Sequence, residues 1–335
     1  MKGKIGWGFI GAGSIANRFI KDLQMVPEAY LAAVASRNFE NAKAFADHYG
    51  VKAYSDYKDV ILDENVDILY IATPHALHME NTLTALSMGK PVLCEKPMAP
   101  NALQVRKMVS KAREAGVYLM EGMWTRFFPA MHQVRKWLEN GEIGRVHLVQ
   151  ADFGFSTDID PSSRLFNPNL AGGSLLDVGV YTISFVSMVF GKKPDRIFSM
   201  ADMTPTGVDA RMNCILSYEG GGMASLFSAI CTETPQEARI IGEKGYIIIP
   251  HFWSPKKAFL YKGGRIVEEF YQDHPGEGFH FEIAAVHEDL RAGRLENSLM
   301  PLTESIEIAE TMDSIRKQWG LHYPFEDAKE NEKQD

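Results

Sequence analysis

Apolar residues run almost unbroken through 5–10, 31–35, 66–72, 91–94 and 117–120, with amphipathic stretches between several of these runs. Runs this continuous predict strands buried on both faces, and strand alternating with helix predicts a parallel sheet. The first segment reads as a strand over 5–10, a tight turn and a helix over 14–25. Further strands follow at 31–37, 66–72, 91–94 and 117–120, with helices over 79–88 and 102–115. From 145 the pattern changes. A strand over 145–155 precedes a long loop, 156–171, and then an apolar helix over 178–190. Ser174 and Asp177 fit a capping box at its start and Gly191 fits its C′ stop. Three hairpins are predicted next. Segments 211–218 and 223–231 flank Glu219-Gly220-Gly221-Gly222, 237–241 and 246–249 flank Glu243-Lys244-Gly245, and 258–262 and 265–270 flank Gly263-Gly264. Helices over 279–292 and 302–319 complete the pattern. The tail 327–335 is charged and poor in apolar residues, so disorder is expected there.

Length and composition narrow the class. With 335 residues and 45% hydrophobic content the chain is too long for one ordinary core and suits two domains. A net charge of −8 without a basic stripe argues against a nucleic-acid partner. No apolar run is read as long enough to span a membrane. Lys2 and Lys4 ahead of residues 5–16 superficially resemble a secretory signal, but four glycines in that stretch make a poor helical core. Cys94, Cys214 and Cys231 show no paired spacing, which suits a reducing cytoplasm.

The chemistry begins at Gly11-Ala12-Gly13-Ser14-Ile15-Ala16, a G-x-G-x-x-A turn between the first strand and the first helix. Gly11 permits the sharp turn, Gly13 lets backbone approach a pyrophosphate, and Ala16 allows helix and strand to pack closely. The phosphates would sit on the free N–H groups of Ser14, Ile15 and Ala16. A ribose-binding acid is usual near the end of the second strand. This chain offers Ser36 and Arg37, a hydroxyl and a guanidinium fork suited to a 2′-phosphate, so NADP is favoured with NAD possible. Thr73 and Pro74 end a later strand. Glu95-Lys96-Pro97 ends the next, placing a fixed positive charge where open α/β sheets bind ligands. His75 and His78 have metal-compatible spacing, but no Cys or carboxylate cluster completes a shell. No metal is expected, and His78 is read as lining the cofactor or capping a helix. Asp177 and Tyr181 are four apart and share a helix face.

The segments GAGSIA, ATPHALH, CEKPM and GGSLLDVGVY resemble the Gfo/Idh/MocA family of oxidoreductases. The run Met120-Glu121-Gly122-Met123-Trp124-Thr125-Arg126-Phe127-Phe128-Pro129 is similar to its dimeric dihydrodiol dehydrogenase branch, which includes NADP-dependent D-xylose dehydrogenases. The likeness extends to about residue 325. It implies an α/β protein with an N-terminal Rossmann domain, residues 1–122. A substrate-binding and dimerisation domain, 123–326, would carry an open, mainly antiparallel sheet. It implies hydride transfer to NADP⁺ from a sugar, polyol or cyclic vicinal diol. Tyr181 would be the acid/base where much of the wider family has histidine. A free phenol has a pKa of about 10, and Lys96 is the ammonium that would favour its phenolate. Asp177 would orient substrate, as would Trp124, Arg126, Trp253 and Phe279; Arg164 and His280 are weaker candidates. A homodimer is expected, because apolar residues occupy both alternating sets of 223–230 and few helices remain to cover the second sheet face. Two other readings stand beside this one: a non-catalytic NAD(P)-binding sensor, and an NAD-dependent inositol or sugar dehydrogenase.

Overall fold

The computed structural model describes residues 3–326, so the expectation for 327–335 lies outside the described residues. The chain forms two compact units that are discontinuous in sequence. The first comprises residues up to 127 with 274–306, and the second 128–273 with the chain from 307. The family resemblance implies a single boundary at 122/123.

The first unit contains β1 (Ile5–Ile10), α1 (Ser14–Leu23), β2 (Ala29–Ala35), α2 (Phe39–Tyr49), β3 (Lys52–Tyr54), α3 (Tyr57–Leu62), β4 (Ile68–Ile71), α4 (His78–Ser87), β5 (Val92–Glu95), α5 (Ala102–Ala115) and β6 (Leu119–Gly122). The strands form one sheet in the order β3-β2-β1-β4-β5-β6, with every pairing parallel. Strand order therefore reverses between β1 and β4, where doubly wound sheets bind their ligands. Every residue of β1, β4, β5 and β6 is buried, as the unbroken apolar runs required. Gly11 ends β1 with φ +110°, and a Cβ there would lie 2.6 Å from the Ala72 carbonyl oxygen. Only glycine fits that turn.

A late helix returns to this unit for an electrostatic reason. Asp22, fully buried on α1, accepts hydrogen bonds from the N–H groups of Gly278 (2.7 Å) and Phe279 (2.8 Å). It thereby caps the positive end of helix Phe279–Arg291. Burial raises the Asp22 pKa, but His280 and the N–H groups outweigh it and the carboxyl titrates below its ordinary value. The helix is then fixed by Trp7 donating to His287 (3.0 Å) and Tyr118 donating to Asp289 (2.8 Å).

The second unit opens with helix Pro129–Glu139 and carries an eight-stranded sheet. In chain order its strands are β7 (Val146–Gly154), β8 (Arg196–Met203), β9 (Asp209–Ser217), β10 (Met223–Ala229), β11 (Ala238–Gly242), β12 (Tyr246–Ile249), β13 (Lys257–Lys262) and β14 (Arg265–Tyr271). The order is β14-β13-β12-β11-β7-β10-β9-β8, antiparallel except for the parallel pair β7–β10. The three expected hairpins are β9–β10, β11–β12 and β13–β14.

Two expectations are corrected here. The expected absence of a membrane-length run does not hold, because Pro168–Phe190 reaches a mean hydropathy of 1.5 over an 18-residue window. That window is 83% buried and serves as core. Nor does Ser174 cap its helix. A π-helical turn, Leu175–Gly179, precedes helix Val180–Phe190 with no side-chain cap. Its first donors go instead to Asp209, whose Oδ2 accepts from Ser174 Oγ and Leu175 N, each at 2.7 Å. Burial pushes the Asp209 carboxyl up to about 6 against these two donors. The Gly191 stop is present, with φ +65° and its N–H bonded to Ser187.

Candidate active site

In the first unit the candidate cofactor residues gather at the carboxyl ends of β1, β2, β4 and β5. Gly13 and Ser14 are exposed at the start of α1, and a Cβ on Gly13 would meet nothing within 4 Å. The first turn of α1 contains no acid. Its leading N–H groups have no intrahelical acceptor and carry the positive end of the helix dipole. Ala16 is fully buried against the sheet, and Ile15 is half-buried. Ser36 and Arg37 follow β2. Arg37 is exposed and forms no ion pair among the described residues. An open, acid-free cradle with a cation beyond β2 fits a phosphorylated dinucleotide.

Thr73 and Pro74 follow β4, half-exposed. Glu95 is buried at the end of β5, where Oε1 accepts from the Tyr70 hydroxyl (2.5 Å) and Oε2 from the Lys96 N–H (3.1 Å). Lys96 is half-buried and precedes a cis peptide bond to Pro97. His78 opens α4 but is wholly buried. Its two ring nitrogens lie 2.8 Å from the Thr73 carbonyl and 2.9 Å from the Pro97 carbonyl. Desolvation holds its pKa below the ordinary histidine value, against those two carbonyls. The ring joins the two strand ends from behind and presents no face outward. Among the described residues no group of three His, Cys, Asp or Glu forms a metal cluster.

Trp124 stacks on Phe279, with centroids 4.2 Å apart and planes 12° off parallel. Phe279 is buried, so it backs Trp124. Arg126, a candidate substrate contact, is buried and committed to Glu304, with Nη2 to Oε1 at 2.6 Å, and to the Leu299 carbonyl at 3.1 Å.

In the second unit Tyr181 borders a pair of stacked aromatics. The Tyr181 ring sits edge-on to Phe153 (5.3 Å, 62°), and Phe153 stacks on Trp253 (5.0 Å, 11°). Trp253 is half-buried and donates its indole N–H to Gln236 Oε1 at 2.8 Å. One turn before Tyr181, Asp177 is buried and accepts from Arg164 Nη1 at 2.7 Å. Arg164 lies on the long loop and is half-exposed. Tyr181 and Trp253 thus lie on either side of Phe153, with Asp177 four residues before Tyr181. Phe153, Gln236 and Asp209 were not anticipated. Phe153 sits on the buried set of β7, whereas Asp209 is buried out of phase with Met212, Cys214 and Leu216 on β9, so alternation gives no signal for it. Gln236 leaves no trace in local pattern.

Residues 5–123 match a family model described as an oxidoreductase family with an NAD-binding Rossmann fold, and residues 131–248 match the GFO/IDH/MocA C-terminal domain. The chain is 40% identical over 330 residues to a trans-1,2-dihydrobenzene-1,2-diol dehydrogenase of Mus musculus, covering 95% of this chain and 98% of the relative. Among solved structures it is similar to an aldose-aldose oxidoreductase from Caulobacter crescentus complexed with glycerol (26% identity, TM-score 0.86, 94% of this chain and 97% of that one). It is also similar to a 3-ketoreductase from Actinomadura kijaniata in complex with NADP and TDP-benzene (25% identity, TM-score 0.85, 94% and 97%).

Proposed function

The chain belongs to the Gfo/Idh/MocA family of nicotinamide-dependent oxidoreductases, and on that premise we propose that it oxidises a secondary hydroxyl of a sugar, polyol or cyclic vicinal diol with NADP⁺. The observation that carries this reading is the setting of Tyr181. A phenol one turn beyond a buried carboxylate borders a wall of two stacked aromatics, a surface suited to a sugar or arene face.

Bound NADP⁺ supplies the acceptor for the hydride. Gly11, Gly13, Ser14, Ile15 and Ala16 would form the cradle for its pyrophosphate, Ser36 and Arg37 would take its 2′-phosphate, and Thr73, Pro74, Glu95 and Lys96 would border the rest. Tyr181, as phenolate, takes the substrate's hydroxyl proton while the C–O bond becomes a carbonyl. Lys96 favours the phenolate through its positive charge. Asp177, pinned by Arg164, accepts a hydrogen bond from a second substrate hydroxyl and so orients the first. Trp124 and Trp253 supply ring faces. His78 braces the Thr73 and Pro97 carbonyls, Phe279 backs Trp124, and Arg126 holds Glu304.

We further propose a homodimer through the outer face of the eight-stranded sheet. Phe198 (67% exposed), Met200 (79%), Ile215 (49%) and Met223 (52%) share that face, and Phe198 pairs directly with Ile215. An exposed apolar patch on contiguous strands marks an interface. Free Cys94, Cys214 and Cys231 suit a reducing compartment, and we place the enzyme in the cytoplasm.

The test is NADP⁺ reduction against pentoses, hexoses, inositols and trans-dihydrodiols, by wild type and Tyr181→Phe. General acid–base catalysis is worth about 10²–10⁴-fold, so the variant should lose about that much turnover while binding NADP⁺ and melting normally. Full turnover by Tyr181→Phe would place the base elsewhere, with Asp177 or His280 next in line.

A further inference from the structure

Three non-glycine residues among those described have positive φ, and Gln236 is one, at +58°. A long side chain in that region costs free energy and persists only where its surroundings dictate it. The surroundings here use every polar group the residue has. Its N–H donates to Asp152 Oδ2 (2.7 Å), and its carbonyl accepts from Phe252 N–H (3.2 Å). Its side-chain amide donates to the Gly154 carbonyl (2.9 Å) and accepts from the Trp253 indole (2.8 Å). Indole nitrogen is only a donor and a carbonyl only an acceptor, so one amide orientation serves both.

Those partners are the mounts of the aromatic wall. Asp152 and Gly154 flank Phe153 on β7, and Trp253 is the ring stacked on Phe153. One residue thus ties Trp253 to the strand segment that carries Phe153, whose ring meets Tyr181 edge-on. We propose that Gln236 is a positioning residue for specificity: it fixes the tilt of the Trp253 indole against Phe153 and so sets which ring-shaped substrates the site accepts. It acts through Trp253 and touches no reacting atom. The inference rests on the reading of Trp253 as a substrate-facing surface.

Gln236→Met keeps the chain length and removes both side-chain bonds. A net hydrogen bond is worth about 0.5–1.5 kcal/mol, and about 1.4 kcal/mol is tenfold in an equilibrium. KM for the best cyclic substrate of the wild type should therefore rise about tenfold, with kcat held within about threefold and NADP⁺ affinity unchanged. Trp253→Phe should raise KM similarly, and the double variant should be no worse than Trp253→Phe alone, because a residue acting only through another is not additive with it. A fall in kcat at constant KM, or multiplying KM effects, would overturn the proposal. If Gln236→Met does not fold, Gln236→Glu keeps the acceptor for the indole but turns an oxygen toward Gly154. Its KM should rise at least about threefold, and an unchanged KM counts against the proposal. Should wild type turn over nothing, the functional reading is what has failed. The near-UV circular dichroism of Trp253, taken as wild type minus Trp253→Phe, then decides this point: it must change in a folded Gln236 variant, and an unchanged band overturns the inference.

Discussion

The two sheets use similar residues to opposite ends. In the first unit, β1, β4, β5 and β6 are buried at every position, because helices lie along both faces of a parallel sheet. In the second, β8 and β9 alternate between covered and exposed positions, yet the exposed set includes Phe198, Met200 and Ile215. Alternating burial there does not mean alternating polarity. The first sheet is open and covered on both faces, and Gly11, Thr73, Glu95 and Lys96 lie at its strand ends. The second places its candidate chemistry beside its covered face, on helix Val180–Phe190 and β7, and its other face carries the exposed apolar residues on which the proposed dimer rests.

The strongest way to break this comparison is to truncate one side chain in each sheet. Leu69, fully buried in β4, should cost about 2–5 kcal/mol on replacement by alanine. Met200→Ala should change the unfolding free energy of the monomer by no more than about 0.5 kcal/mol, as an exposed position does, while weakening the dimer. Denaturant unfolding at two protein concentrations checks both. Equal losses in the two variants would mean that the outer face is packed within the subunit, and monomers in light scattering at micromolar concentration would remove the dimer.

Asp209 tests how firmly the second sheet holds the turn that leads into helix Val180–Phe190. Its carboxyl titrates at about 6 against an ordinary 3.8 because it is wholly buried. A raised folded-state pKa means the site favours the neutral acid. Its stability is complete below pH 4 and is lost as pH rises through 6. Two units at ~1.4 kcal/mol each make about 3 kcal/mol. Asp209→Asn stays neutral, so the stability difference between wild type and variant should shift by about that amount between pH 4 and 7. A flat difference would show that the carboxyl ionises normally in place.

The parallel sheet was legible except at its edge strand β3, whose 3 residues include no buried position, because its other runs are almost unbroken. The outer strand β8 was not, because Arg196–Met203 exposes apolar residues and so lacks the polar contrast that marks an amphipathic strand. Helix Phe39–Tyr49 escaped for a similar reason, with Phe39 exposed at its start. The late helix joins the first unit through Asp22, which caps it from 256 positions before Gly278. The same limit governs the site. Gly11, Lys96 and Tyr181 announce themselves through short spacings, whereas Asp209 and Gln236 act on partners 34 and 84 positions away. Local pattern carries no record of such pairings.

The proposed function assigns the fixed charge to Lys96 and the titrating group to Tyr181. Lys96→Met should test it with an effect of about ten- to a hundredfold on turnover, since an opposite charge nearby shifts a pKa by about 1–3 units. The alkaline rise in the pH–rate profile should move upward, because the phenolate of Tyr181 loses its support. A lower rate with an unmoved profile would confine Lys96 to cofactor binding.

The smallest expected effect concerns the far end of the cofactor. Arg37 is exposed beyond β2, without an ion pair among the described residues, in a place where an acid would have favoured the free ribose hydroxyl. A hydrogen bond to a charged group is worth about 1.5–3 kcal/mol, and the lower figure suits so solvated a side chain. Arg37→Ala should therefore weaken NADP⁺ about tenfold in a fluorescence titration and leave NAD⁺ nearly unchanged, because only the former carries the 2′-phosphate. Should the wild type bind NAD⁺ more tightly, or the substitution weaken both cofactors equally, Arg37 would be a general contact, and the choice between them would lie in Ser36 or the backbone beside it.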